Sequence, residues 1–372
     1  MTKLLFTPGP LTTTPTVKEA MLLDWGSRDP EFISLVRDIR RRLVGLAGGT
    51  EPDWQAIPMQ GSGTFGIESV IGSAVPRDGA LLVFINGAYG RRMARIAEVL
   101  GIRLVPVFVP ENKPITASVV AQALAANRGV THAATVHCET TTGLLNPIGE
   151  LVPLIARAGC RSIIDAMSSF GGVALDAPRC EIDFLVSSSN KCIQGVPGFS
   201  FVIARKEALE ECRDRARSLS LDLHAQWLGL ESNGQFRFTP PTHALAAFRQ
   251  ALDELDAEGG VPGRARRYAA NHETLIAGMA RLGIEPYLAP GYRGHTITSF
   301  RYPQHPAFSF PTFYDLLSER GFIIYPGKLS QEDCFRVGTI GDLSAPHFES
   351  LVAAVGEVLS SMGASSPVSA NT

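Results

Sequence analysis

Lys191 stands in the segment SSSNK, where an apolar, β-rich run gives way to the glycine- and proline-rich turn CIQGVPG. A lysine at the end of a sheet strand opens into the crevice where α/β sheets bind ligands. Partial loss of water there makes its amine a nucleophile toward carbonyls, the usual Schiff-base lysine. Asp165 ends another apolar run, RSIID, ahead of the small-residue loop AMSSFGG. If the two runs are neighbouring strands, amine and carboxylate share one rim. The carboxylate could then keep a ring nitrogen protonated, so that the ring withdraws electrons from a bound carbanion. Plainer readings stay open for both: a surface lysine, and an aspartate capping the next helix.

An anion site is suggested by GSGT, Gly61 to Thr64, which precedes the helix-like stretch FGIESVIGSAV. Amides at a helix N-terminus, with the hydroxyls of Ser62 and Thr64, suit a phosphate ester, although Gly-Ser-Gly turns are common and this is neither a Walker A loop nor GxGxxG. Tyr89, in NGAYG, could stack on a flat heteroaromatic ring or could be an ordinary core aromatic. Thr140, Thr141 and Thr142 end the run THAATVH and could bond a ring oxygen, or could simply make a turn. Arg336, in CFRVGTIG, offers a planar fork for a carboxylate or phosphonate, with an exposed surface arginine as the alternative; Arg28, in DWGSRDPEF, is a second candidate.

Elements able to position these residues follow from the hydrophobic pattern. Strand candidates are 80–85, 103–109, 131–137, 161–166 and 182–189, alternating with helical stretches such as 91–101 and 151–160, which Gly101 and Gly159 stop. That is the βαβ rhythm of a mainly parallel sheet. Beyond residue 250 long charged helices, the strand candidates HTITSFRY and GFIIYPG, and a final helix predict a smaller α+β domain. The expected division is 16–250 for a large α/β domain and 251–364, with 1–15, for the small one. The polar tail 365–372 is expected to be disordered.

With 372 residues the chain exceeds the ~250 to 300 at which single cores stop growing, so two domains are the natural division. Lysine plus arginine total 34 against 36 acidic residues, so no net field attracts nucleic acid or an anionic membrane; the basic runs RDIRRRL and GRARRY read as solvated helix faces. No segment has membrane-spanning length and the amino-terminal apolar run is too short for a signal peptide, so a cytoplasmic protein acting on small molecules is expected. Six scattered cysteines without CxxC pairs or histidine clusters argue for reduced thiols and no metal; Cys192, beside Lys191, points elsewhere.

A strand-end aspartate, a strand-end lysine, an upstream Gly-Ser-Gly-Thr and a downstream arginine, in this order, resemble the fold type I pyridoxal-phosphate (PLP) aminotransferases. Nearly end to end, the segments TPGPLTTT, DWGSRD, QGSGTF, NGAYGRRM, HCETTTGLLNP, DAMSSFG, SSNKCIQGVPGF, SLSLDLH, QFRFTPPTH, EGGVPGR, IIYPGKL and FRVGTIG are similar to the class V branch. That branch includes alanine-glyoxylate and serine-pyruvate aminotransferases, and the likeness is strongest to its 2-aminoethylphosphonate:pyruvate aminotransferases.

The resemblance implies a seven-stranded, mainly parallel sheet in the large domain and PLP carried on Lys191, with Asp165 at the pyridine nitrogen. It also implies that Ser62, Gly63 and Thr64 cradle the phosphate with Ser189 close by, that Tyr89 stacks on the ring and that Thr142 contacts it. Thr239, in RFTPPTH, would reach the phosphate from the second subunit of a homodimer with shared sites, and Arg336 would bind the substrate anion. The implied reaction is a ping-pong exchange between 2-aminoethylphosphonate and pyruvate in phosphonate degradation. An alanine-glyoxylate or serine-pyruvate aminotransferase is the nearest rival. A cysteine desulfurase would need a mobile cysteine where the small domain offers only Cys334 on a candidate strand, and a non-catalytic binding module would use the GSGT site alone.

Overall fold

The computed structural model describes residues 3–327, 329 and 332–364; the tail expected to be disordered, 365–372, and Lys328 of the IIYPGKL segment lie outside the described residues. One sheet of seven strands organises the chain: β1 (Trp54–Gln60), β2 (Ala80–Ile85), β3 (Arg103–Phe108), β4 (His132–Val136), β5 (Arg161–Asp165), β6 (Phe184–Ser188) and β7 (Phe199–Arg205). Their order is β1-β7-β6-β5-β4-β2-β3. Every pair from β6 to β3 is parallel, and β7 alone runs against its two neighbours. Strands β2, β4 and β6 are buried at every position, as continuous apolar runs in a sheet covered on both faces should be, whereas β3, at the edge, exposes Arg103, Pro106 and Phe108.

All five expected strands form, and two more complete the sheet. Strand β1 was hidden because Pro58 and polar Gln55 and Gln60 interrupt its apolar run; an edge strand tolerates proline, since one row of its N–H groups has no partner strand. Strand β7, FSFVIAR, was missed because it follows β6 without a helix between them and so breaks the βαβ rhythm.

Helices cover the sheet. Those that matter for the site are α1 (Gly63–Ala74), α2 (Ala88–Val99), α3 (Ile148–Arg157) and α4 (Thr242–Ala257). Helices α2 and α3 begin three residues ahead of the expected stretches 91–101 and 151–160, and each ends before its expected glycine, Gly101 at φ +66° and Gly159 at φ +74°. Phe248 of α4 packs edge-on against Phe199 of β7 at 5.1 Å, both fully buried; each such ring contributes ~2 kcal/mol to the core.

A second apolar core lies apart from the sheet. It gathers Phe6 with residues from 275 to 364, around α5 (Gly260–Arg281), α6 (Ala345–Ser361) and a three-stranded antiparallel sheet of β8 (Ile297–Arg301), β9 (Tyr325–Pro326) and β10 (Cys334–Gly338), with β10 central. The amino-terminal pair Leu4–Leu5 joins this part of the molecule by parallel pairing with Phe322–Ile323. Among the described residues no helix is long and apolar enough to cross a membrane. All six cysteines are free thiols.

Candidate active site

Strand register places the chemistry. Asp165, the last residue of β5, lies opposite Val186 of β6, so the turn that carries Lys191 leaves the sheet at the rim where Asp165 ends. Lys191 and Asp165 line one cavity of about 200 Å³ together with Ser62, Gly63, Thr64 and Tyr89. Six residues expected from the sequence to act together are therefore neighbours.

The Lys191 amine is enclosed and donates to the Pro8 carbonyl at 2.6 Å. Burial disfavours an ammonium and pushes its pKa down to about 8, with the Asp165 charge acting the other way. Burial pushes Asp165 up to about 6, while an N–H bond from Met167 at 2.9 Å and the charges of Lys191 and Arg92 oppose the rise. Above pH 6 the carboxylate is mostly charged, and near pH 8 about half of the amine is neutral. The N-terminal segment presses on the lysine: a Cβ on Gly9 would stand 2.8 Å from Lys191 Cδ.

Ser62 forms the N-cap position of α1, its carbonyl accepting the Phe65 N–H at 2.8 Å, and no acidic residue occupies the first turn. The positive end of the helix is left for an outside anion. Gly63 permits the close packing, since a Cβ there would meet the Met167 sulfur at 2.4 Å. Tyr89, half-buried at the start of α2, has the Arg92 guanidinium 4.7 Å from its ring centroid, and burial raises the phenol pKa. Arg92 also donates to Thr64 Oγ1 at 3.1 Å and lines the cavity. Sequence reasoning missed it, along with Met167, Ser188 and Asn190; its spacing three residues after Tyr89, on one helix face, was the available signal.

Other expected residues sit outside the cavity lining. Arg336 is fully buried at the centre of β10, opposite Ser299; Nε donates to the Pro326 carbonyl at 2.9 Å and Nη1 to the Thr140 carbonyl at 3.0 Å, while Nη2 makes no hydrogen bond among the described residues. It is not the exposed arginine of the plainer reading. Its charge acts on Tyr89, which places it beside the cavity. Thr142 is buried in the turn beyond, its hydroxyl accepting the Leu144 N–H at 3.2 Å. Ser189 turns away: its hydroxyl donates to the carbonyls of Val196 at 2.6 Å and Phe199 at 3.0 Å, and the preceding Ser188 faces the cavity. Arg28 and Thr239 border a separate surface cleft with Phe238. Gln60, next to the GSGT turn, donates to the Thr239 carbonyl at 3.2 Å.

Residues 49–330 match the family model of class-V aminotransferases. The 2-aminoethylphosphonate–pyruvate transaminase of Bacillus cytotoxicus is 52% identical, over 95% of this chain and 97% of the relative. That of Rhizobium meliloti is 48% identical, over 96% and 94%. Among solved structures, an alanine–glyoxylate aminotransferase from Nostoc sp. superposes with a TM-score of 0.89 at 26% identity, covering 96% of each chain. A pyridoxamine–pyruvate aminotransferase from Mesorhizobium loti gives 0.89 at 22% identity, over 98% of this chain and 93% of that one, a likeness of fold.

Proposed function

The chain belongs to the class-V aminotransferases, and from that membership we propose that it transfers the amino group of 2-aminoethylphosphonate to pyruvate, giving phosphonoacetaldehyde and L-alanine. The observation that carries the reading is the meeting of Lys191, Asp165, the GSGT turn and Tyr89 in one cavity, in a chain about half identical to transaminases of that name. The donor set fits pyridoxal phosphate. A buried amine of lowered pKa faces a buried carboxylate, an unopposed helix N-terminus stands beside them at Gly63, and an aromatic ring forms the wall.

Lys191 would hold the cofactor's aldehyde carbon, Asp165 its ring nitrogen, Ser62, Gly63 and Thr64 its phosphate, and Tyr89 the face of its ring, with Thr142 and Ser189 in support from behind. When bound, the cofactor supplies an electron sink for the carbanion at the substrate carbon. Lys191 Nζ, neutral in a useful fraction near pH 8, takes the proton from the substrate C1 carbon. Asp165, mostly charged above pH 6, would hold the ring nitrogen of the cofactor in its protonated form. Arg336 would offer Nη2, which makes no hydrogen bond among the described residues, to the phosphonate of one substrate and the carboxylate of the other, since both are anions that accept from a guanidinium.

The working unit in this reading is a homodimer, with Thr239 and Arg28 completing the partner's site. In its support, Phe65 and Phe238, beside the GSGT turn and Thr239, leave about half of their surface in solvent, and Leu22 and Leu23 leave more. The separate cores, one spanning residues 17–255 and the other built from Phe6 and 275–364, support a division into a large domain, 16–250, and a small one, 251–364 with 1–15.

The test is a spectral titration of the cofactor-loaded protein with 2-aminoethylphosphonate, followed by pyruvate. Bleaching of the visible cofactor band by the amine, and its return with alanine formed, is the expected outcome. A band silent to this amine but bleached by alanine or serine would transfer the protein to the alanine–glyoxylate or serine–pyruvate reaction. No band at all with added pyridoxal phosphate would remove the cofactor reading.

A further inference from the structure

Glu139 is a fully buried acid that the chemistry above leaves unused. It ends the two-residue strand Cys138–Glu139, just before the turn of three threonines. Among the described residues each hydrogen-bond partner of its carboxylate is a donor: the N–H groups of Tyr89 at 3.4 Å, Gly90 at 3.4 Å and Thr141 at 3.1 Å, and the Thr141 hydroxyl at 2.6 Å. Two of these belong to the first turn of α2, where aligned peptides favour a negative charge. Thr141 Oγ1 in turn accepts the Ala88 N–H at 3.0 Å. Such a set fits the ionised form, an acceptor only, although burial by itself raises the carboxyl pKa. Position 87 must lack a side chain for this approach, since a Cβ on Gly87 would stand 2.3 Å from the Glu139 carboxyl carbon.

The same turn also holds residues that stand behind the chamber lining. The Thr140 carbonyl accepts Arg336 Nη1 at 3.0 Å, and the Thr141 carbonyl accepts the Ser299 hydroxyl at 2.8 Å. Thr140 also shares a 2.6 Å hydroxyl bond with Ser168, in the loop after Asp165. We propose that Glu139 is a positioning residue of this site, fixing the Tyr89 ring wall through the N-terminus of α2 and the Arg336 guanidinium through the Thr140–Thr142 turn. The inference rests on the roles given to Tyr89 and Arg336 above.

Ring binding and phosphate binding separate this role from general support of the fold, because the phosphate cradle is built by the start of α1, joined to α2 through Arg92, whereas the ring wall stands on the first turn of α2 that Glu139 holds. The full-length chain, freed of cofactor, is titrated by calorimetry with pyridoxine 5′-phosphate and, separately, with inorganic phosphate. Glu139→Gln keeps the shape but sets an amide NH₂ against donor N–H groups, so it should bind pyridoxine 5′-phosphate roughly ten-fold more weakly, with inorganic phosphate unchanged. In the loaded enzyme, KM should rise for both substrates. Should the Gln variant fail to fold, Thr141→Val, which removes one link of the network and keeps the charge, is expected to give the same ring-selective loss at roughly three-fold. Equal weakening of both ligands, or of neither, overturns the inference. Tyr89→Ala is the control: if it leaves pyridoxine 5′-phosphate binding intact, the stacking role falls and this inference with it, whereas a loss there without one in Glu139→Gln sinks the inference alone.

Discussion

Around Lys191 the walls come from element ends: strand ends give Asp165 and Lys191, helix starts give Ser62 to Thr64 and Tyr89, and Pro8 and Gly9 press on the lysine. Around Arg28 and Thr239 the same chain leaves a shallow cleft in which both residues and Phe238 face solvent. In the first region Asp165 and Ser188 are buried, Thr64, Tyr89 and Lys191 are half-buried, and only Ser62 is exposed. The second presents a cation, a hydroxyl and an aromatic ring with no such enclosure. Difficult proton chemistry thus sits where burial shifts pKa values, and the residues left outside suit a surface that another copy of the chain would cover.

If the contrast is sound, variants of the enclosed chamber should cost far more than variants of the open cleft. Lys191→Ala should lower turnover on the order of 10⁴-fold, measured as alanine formed; a loss under ten-fold would remove the lysine from the chemistry.

Asp165→Asn should cost about 10³-fold in turnover while keeping the Met167 N–H bond through its amide oxygen. Its effect on stability has the opposite sign. The folded pKa, about 6, lies above the ordinary 3.8, so the folded state holds a proton that the unfolded state has lost, and stability declines as pH rises through that window. Above pH 6 the uncharged variant, free of cofactor, should therefore be more stable than the parent, by at most ~3 kcal/mol, and equal melting curves at pH 8 would contradict the buried charge.

For Arg336→Ala, which frees the Thr140 and Pro326 carbonyls and removes the orphan Nη2, KM for the amine and for the keto acid should both rise on the order of 10²-fold; unchanged values for either would divide the anion site in two. The smallest effect belongs to the cleft: Thr239→Val should weaken cofactor binding roughly five-fold. Refolding Thr239→Val together with Lys191→Ala should then restore activity, because one site of each mixed dimer keeps both residues. Activity no greater than the average of the parents would place Thr239 outside the partner's site.

What the sequence disclosed of the site follows the grammar of strand ends. Lys191, Asp165 and the GSGT turn could be found because each closes or follows an apolar run, and the sheet then brings run ends to one rim. Arg336 could be named as an anion binder, but the carbonyl that aims it belongs to Thr140, 196 positions away, and no local pattern encodes that pairing. Successive strand residues face opposite ways, so SSS in β6 cannot say whether Ser188 or Ser189 reaches the cavity; the carbonyls of Val196 and Phe199, which take the Ser189 hydroxyl, decide it. Strands β1 and β7 escaped for related reasons, one broken by Pro58 and the other running counter to the parallel rhythm.

The contact between Pro8 and Lys191 also says something about time. Leu4 and Leu5 pair with Phe322 and Ile323, and the Phe6 carbonyl accepts the Gly338 N–H at 3.0 Å, so the segment that roofs the lysine is anchored by residues synthesised more than three hundred positions later. A nascent chain halted before residue 322 lacks the partners that seat Pro8 beside Lys191. The contact over the lysine therefore joins the two ends of the chain and can form only once nearly all of it has been made.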